Sequence, residues 1–205
     1  MHFNIAPLLE ARISADKFDA ARVLPDADIG ELVRLATLAP SAFNFQNWRF
    51  IAVRTSAAKL RLQAVAHGQH KVADAAVTFI VCGTLRAHLQ LQQNLAPSVD
   101  AGILAPAQVD AWVAAAASAH GGNPQLQRDE AMRSASLASM TLMLAAQGMG
   151  LASCAISGFD AAGVTREFAL SADDVPVMLV AVGEAAEGNW PQKRRKPLAQ
   201  VLAFA

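Results

Sequence analysis

Apolar and polar positions alternate along the chain in two periods, one helical and one strand-like. Apolar residues recur at Ile29, Leu32, Val33, Ala36 and Leu38, which predicts a helix over 28–39 that Pro40 stops. Asp28 and Glu31 at its start have the spacing of a capping pair. Shorter helices are predicted over 7–13, 56–66 and 161–168. Residues 48–54 alternate as a half-buried strand. The compact, β-branched run 75–82, closed by Gly83, predicts a strand buried on both faces. Two further strands are expected over 151–156 and 177–182. Between them and the buried strand lie a largely helical excursion, 84–127, and a strong helix over 128–147. From Leu137 to Ala145 that helix is apolar nearly all round, the pattern of an element covered on every side and suited to a subunit interface.

Helices and strands interleave, but several connections are too long or irregular for a doubly wound sheet. The expected class is α+β, a central sheet wrapped by helices, with all 205 residues in one domain. The uncharged stretch 134–159 is interrupted by serines, Thr141, Gln147 and glycines, so it reads as a buried helix and a strand rather than a membrane span. Met1-His2-Phe3-Asn4 has no basic region followed by an apolar core, so no secretory leader is expected and the cytoplasm is the expected location.

Composition narrows the picture. Apolar residues make up 54% and charged residues 17%, a lean surface that favours an oligomer. With 17 basic and 17 acidic residues the net charge is zero, which builds no field for nucleic acid or an anionic membrane. Cys82 and Cys154 fall in predicted strands and read as buried free thiols. His67 and His70 are three apart without a companion carboxylate or cysteine, so no metal site is expected. Gly148 and Gly150 follow a helix rather than a strand, which makes them helix-ending glycines and not a dinucleotide fingerprint.

Five segments carry candidate chemistry. After Pro40, the loop containing Ser41, Asn44 and Gln46 offers donors and acceptors for a polar ring edge or a ribityl chain, although such residues after a helix also serve as turn caps. Arg12-Ile13-Ser14 near the start, and Lys193, Arg194, Arg195 and Lys196 between Pro191 and Pro197, supply cations for a phosphate. Leu198, Val201, Leu202 and Phe204 then predict that the chain packs again after the cluster. Gln69 and Lys71 precede the buried strand. Ile156-Ser157-Gly158-Phe159-Asp160 ends another, with a glycine that lets a flat molecule approach the backbone and Asp160 as a helix cap.

In their order along 12–197, these segments resemble the FMN-dependent nitroreductase family, in its short bacterial NAD(P)H branch. The Pro40-Ser41-x-x-Asn44-x-Gln46-x-Trp48 loop and the Gly158-Phe159-Asp160 segment carry most of the likeness. The resemblance implies a central mixed sheet wrapped by helices in an intertwined homodimer with two composite FMN sites. It places Arg12, Ile13 and Ser14 at the phosphate and ribityl end, with Lys193 and Arg195 returning to the phosphate. Pro40, Ser41, Asn44 and Gln46 would reach the flavin from the neighbouring subunit. Gln69 and Lys71 would lie at the N1/O2 edge of the ring, and Ile156, Ser157 and Gly158 would present backbone toward N5.

The implied reaction is ping-pong: hydride passes from NAD(P)H to FMN, then electrons pass to a small acceptor such as a nitroaromatic or a quinone. It needs no catalytic side chain, only Lys71 to tune the ring. An FMN enzyme of another outcome, enal reduction or flavin fragmentation, and a non-catalytic helical binding dimer are the competing readings. The chain departs from the family at Asp16, where relatives often carry a cation. A carboxylate there would oppose the reduced, anionic ring or accept from its N3–H. A second departure is Ser157, where some relatives carry glutamate.

Overall fold

The structure, a computed structural model, describes residues 4–205; Met1, His2 and Phe3, on which the reading of the chain's start rests, lie outside the described residues. The helices are α1 (Ala6–Ala11), α2 (Asp26–Ala36), α3 (Ser56–Val65), α4 (His70–Asp74), α5 (Leu91–Asp100), α6 (Pro106–His120), α7 (Pro124–Gly148) and α8 (Ala161–Glu167). The strands are β1 (Trp48–Val53), β2 (Val77–Thr84), β3 (Ala152–Ile156) and β4 (Asp174–Gly183). They form one sheet in the order β1-β2-β4-β3, and all three pairings are antiparallel.

The sheet is covered on both faces, which explains the unbroken apolar run of β2. Val77, Phe79 and Val81 pack with Leu32 and Ala36 of α2 and with Ala135, Leu142 and Ala146 of α7. Ile80 and Cys82 face the other way, toward Leu62 of α3, Val72 of α4 and Val164 of α8. Gly83 lets α7 lie directly on the sheet: a Cβ there would stand 2.3 Å from the Ala131 carbonyl oxygen. The excursion builds a third cluster, in which Leu91, Leu95, Val109 and Ala116 close over Phe45.

Several sequence expectations need correction. Asp28 and Glu31 do not cap α2: the helix begins at Asp26 behind Pro25 without a side-chain cap, and Glu31 binds Arg34 instead at 2.7 Å. Asp160 stands at the N-cap of α8 but makes no cap hydrogen bond, and its carboxylate lies 3.8 Å from Arg166. On a single protomer the apolar stretch of α7 is covered except at Leu137, which is 46% exposed. On a single protomer residues 191–205 are exposed throughout, Phe204 at 92%. Among the described residues no helix is long and apolar enough to cross a membrane.

Candidate functional site

The site begins at the free edge of β3. After α1 the chain runs extended beside it: Ser14 forms a parallel bridge with Ser153, and the Ala15 N–H donates to the Ser153 carbonyl at 3.0 Å. Ala15 and Phe18 are buried, so Ser14, Asp16 and Lys17 are left facing outward. The tail is stapled onto this segment from the far end of the sequence. Asn189 Oδ1 accepts from the N–H groups of Asp16 (2.7 Å) and Lys17 (3.0 Å), and its Nδ2 donates to the Lys17 carbonyl at 2.8 Å. Gln192 Nε2 donates to the carbonyls of Leu9 (3.1 Å) and Arg12 (3.0 Å).

These staples bring Arg12, Ile13, Ser14, Lys193 and Arg195 together around a small cleft of about 40 Å³, with Trp190 as one wall and Lys193 Nζ 5.1 Å from its ring centre. Three cations and a hydroxyl around so small a space make a site for a compact anion. Sequence reasoning named these cleft residues but missed Asn189 and Gln192, which hold them in place.

Two residues beyond Ser14, about 7 Å along an extended chain, Asp16 Oδ1 meets Lys71 Nζ at 2.6 Å. Lys71 is carried on α4, a helix the sequence pattern did not disclose. It follows a reversal in which His67 (φ 55°) and Gly68 (φ 71°) are left-handed. The hydrogen bond and charge of Lys71 hold the Asp16 carboxyl below the usual range. Burial works against the Lys71 charge, yet the hydrogen bond to Asp16 and nearby negative charge together raise it above the ordinary lysine value. Burial pushes the neighbouring Cys154 thiol up.

Gln69 closes the arrangement. Its Nε2 donates to the Gly158 carbonyl at 2.8 Å and to the Ala66 carbonyl at 3.0 Å, so the amide nitrogen fixes the strand end rather than standing free. Ile156 is buried, whereas Ser157 and Gly158 are exposed, and a Cβ on Gly158 would meet nothing nearer than Gln69 Nε2 at 4.0 Å. From Ser153, beside the cationic cleft, to Gly158 is five residue steps, about 16 Å of extended chain. One edge therefore offers an anion site at one end and an open, flat backbone surface with Lys71 and Asp16 beside it.

The loop after Pro40 stands apart. None of Pro40, Ser41, Asn44 or Gln46 lines the cationic cleft. Ser41 Oγ accepts from the Gln46 N–H at 2.9 Å, closing the loop on itself. Phe43 (φ 52°), Asn44 (φ 58°) and Gln46 (φ 50°) are all left-handed, a costly backbone for non-glycine residues. The excursion holds that shape. Phe45 is buried with its ring 5.1 Å from that of His120, and Asn94 Nδ2 donates to the Phe45 carbonyl at 3.0 Å. Asn44 and Gln46 are left exposed. A larger cavity of about 470 Å³ lies below the loop, but Arg49 and Asp174 in its wall already pair with each other at 2.6 Å.

Residues 9–184 match the model of the nitroreductase family, so the cationic tail lies beyond the matched region. The Bacillus subtilis protein YodC, which carries NAD(P)H nitroreductase in its name, is 32% identical over 98% of this chain and 98% of its own length. The NADH dehydrogenase of Thermus thermophilus is 31% identical over 97% of each chain. A crystal structure from Exiguobacterium sibiricum, described as a complex with FMN, superposes with a TM-score of 0.91 at 25% identity, covering 100% of this chain and 99% of that one.

Proposed function

The chain belongs to the nitroreductase family, and from that premise we propose that it is an NAD(P)H-dependent FMN oxidoreductase that reduces nitroaromatics, quinones or similar small acceptors by ping-pong hydride transfer. The observation that carries this reading is the single strand edge joining a three-cation cleft to the exposed Gly158 backbone. Arg12, Ser14, Lys193 and Arg195 would hold the FMN phosphate, and Ile13 would lie beside the ribityl chain. Ile156, Ser157 and Gly158 would present backbone to the ring, with Gln69 fixing that segment and Lys71 and Asp16 at the pyrimidine edge.

FMN, when bound, would supply hydride acceptance from the nicotinamide and electron delivery to the acceptor. The residues of the chain orient the ring and set its field, and no side chain acts as a nucleophile.

The working unit is a homodimer. Pro40, Ser41, Asn44 and Gln46 then complete the site of the partner subunit, which gives the strained, outward-facing loop a use. Leu137, Leu198, Val201 and Phe204 are apolar side chains left exposed on one protomer that an interface would cover. The whole chain acts as one domain in the cytoplasm, where NAD(P)H is supplied.

The test is steady-state oxidation of NADH and NADPH with a nitroaromatic and a quinone as acceptors. Parallel double-reciprocal lines are expected when both substrates are varied. Intersecting lines, or no acceptor-dependent oxidation by FMN-loaded protein, overturn the reading.

A further inference from the structure

The contact between Asp16 and Lys71 joins the two ends of the site. The Asp16 backbone is fixed from both sides, because its N–H is held by Asn189 Oδ1 at 2.7 Å and the preceding Ala15 N–H by the Ser153 carbonyl at 3.0 Å. Lys71 is fixed by α4, whose N-cap Gln69 is tied to Gly158. The 2.6 Å ion pair is therefore formed by two anchored segments rather than by two side chains swinging freely in solvent. Lys17 and Lys193 also lie within electrostatic reach of Asp16, so the carboxylate sits inside an otherwise cationic surface.

An ammonium with a carboxylate at hydrogen-bond distance acts on its surroundings as a dipole, and its field falls off much faster than that of a lone charge. A hydride delivered from NAD(P)H brings two electrons and one proton. Its transfer to FMN would leave NAD(P)⁺ and one negative charge on the ring. A lone Lys71 would stabilise that charge; a paired one does so far less.

We propose that Asp16 is the counter-ion of Lys71 and sets the potential of the bound flavin, withholding cationic stabilisation from the reduced ring so that it remains a strong reductant. The proposal rests on the FMN reading above. Asp16 acts through Lys71 and is a positioning residue.

The experiment is a dye-coupled redox titration, with FMN dissociation constants, on FMN-loaded wild type and on Asp16→Asn, Asp16→Glu and Lys71→Met. Asn at 16 keeps an oxygen for Lys71 Nζ and removes only the charge. It is expected to favour reduced over oxidised FMN about tenfold relative to wild type, an upward shift of about 30 mV for a two-electron couple. Asp16→Glu should stay within threefold of wild type, and Lys71→Met should move the ratio the opposite way. If Asp16→Asn keeps the wild-type ratio or lowers it while Lys71→Met shifts it, the counter-ion role is overturned and the FMN reading stands. If wild-type protein binds no FMN, both are overturned.

Discussion

Asn189 is hydrogen-bonded to the backbone of Lys17 in both directions: its Oδ1 accepts from the Lys17 N–H at 3.0 Å and its Nδ2 donates to the Lys17 carbonyl at 2.8 Å. One amide thus does for the tail what a strand pairing would do, and it also holds Asp16 and the Ala186 carbonyl. Asn189→Ala removes these bonds together. It is expected to cost about 2 kcal/mol in stability and to weaken FMN binding about tenfold, about 1.4 kcal/mol. Urea melts and FMN titration check this; unchanged FMN affinity would show that the staple does not shape the cleft.

Much of this was legible in the sequence, and the reason differs by element. The β2 run and the periodic part of α2 were readable because each must bury a face or two, and burial imprints a period on the residues. The α4 helix was not, because five residues are too few to show a helical period and the helix is set by the His67–Gly68 reversal before it. Arg12, Ser14, Lys193 and Arg195 stood out as charges, but nothing local marks Asn189 or Gln192. Their partners in the segment after α1 and at its end lie 172 to 183 positions away, and the bonds are to backbone, which carries no residue signature. The pairing of Lys71 with Asp16 was equally hidden, since both residues were readable and their meeting was not.

The loop after Pro40 is expected to exchange stability for function. Gln46 holds φ at 50°, a conformation glycine adopts without the side-chain clash. Gln46→Gly should raise the stability of the apoprotein by up to about 1 kcal/mol and weaken FMN binding. Thermal melts of the apoprotein and FMN titration separate the two effects. Loss of stability together with normal FMN binding would mean that the loop shape serves folding alone.

Close approach of α7 to the sheet makes Gly83 irreplaceable. A methyl at this position would overlap the Ala131 carbonyl oxygen, a backbone atom of a 25-residue helix that cannot move alone. Gly83→Ala should destabilise the fold by about 3 kcal/mol, at the upper end of core overpacking. A chemical melt within about 0.5 kcal/mol of wild type, the size of a neutral surface change, would contradict the packing described.

The ion pair also predicts a pH window. Asp16 titrates below its unfolded value of about 3.9, so its contribution to stability is present above that value and is lost as the pH falls through the depressed folded one. Lys71 titrates above its unfolded value of about 10.4, so its share is present below that value and is lost as the pH rises through the raised one. The stability gap between wild type and Asp16→Asn should be level from about pH 5 to 9 and shrink below about pH 4. Urea midpoints measured across that range decide it, and a gap that widens toward acid pH would contradict the assigned direction.

On the proposed reading, the strand edge between the cationic cleft and Gly158 holds one flavin mononucleotide. The most direct measurement is the chromophore itself: protein purified without added cofactor, then titrated with FMN and with FAD, with any flavin released by heat and identified by chromatography. A yellow protein that releases FMN, or an apoprotein that takes up FMN in preference to FAD and loses that preference in Arg195→Ala, is the predicted result. A colourless protein that binds neither flavin, or one that selects FAD, would contradict it.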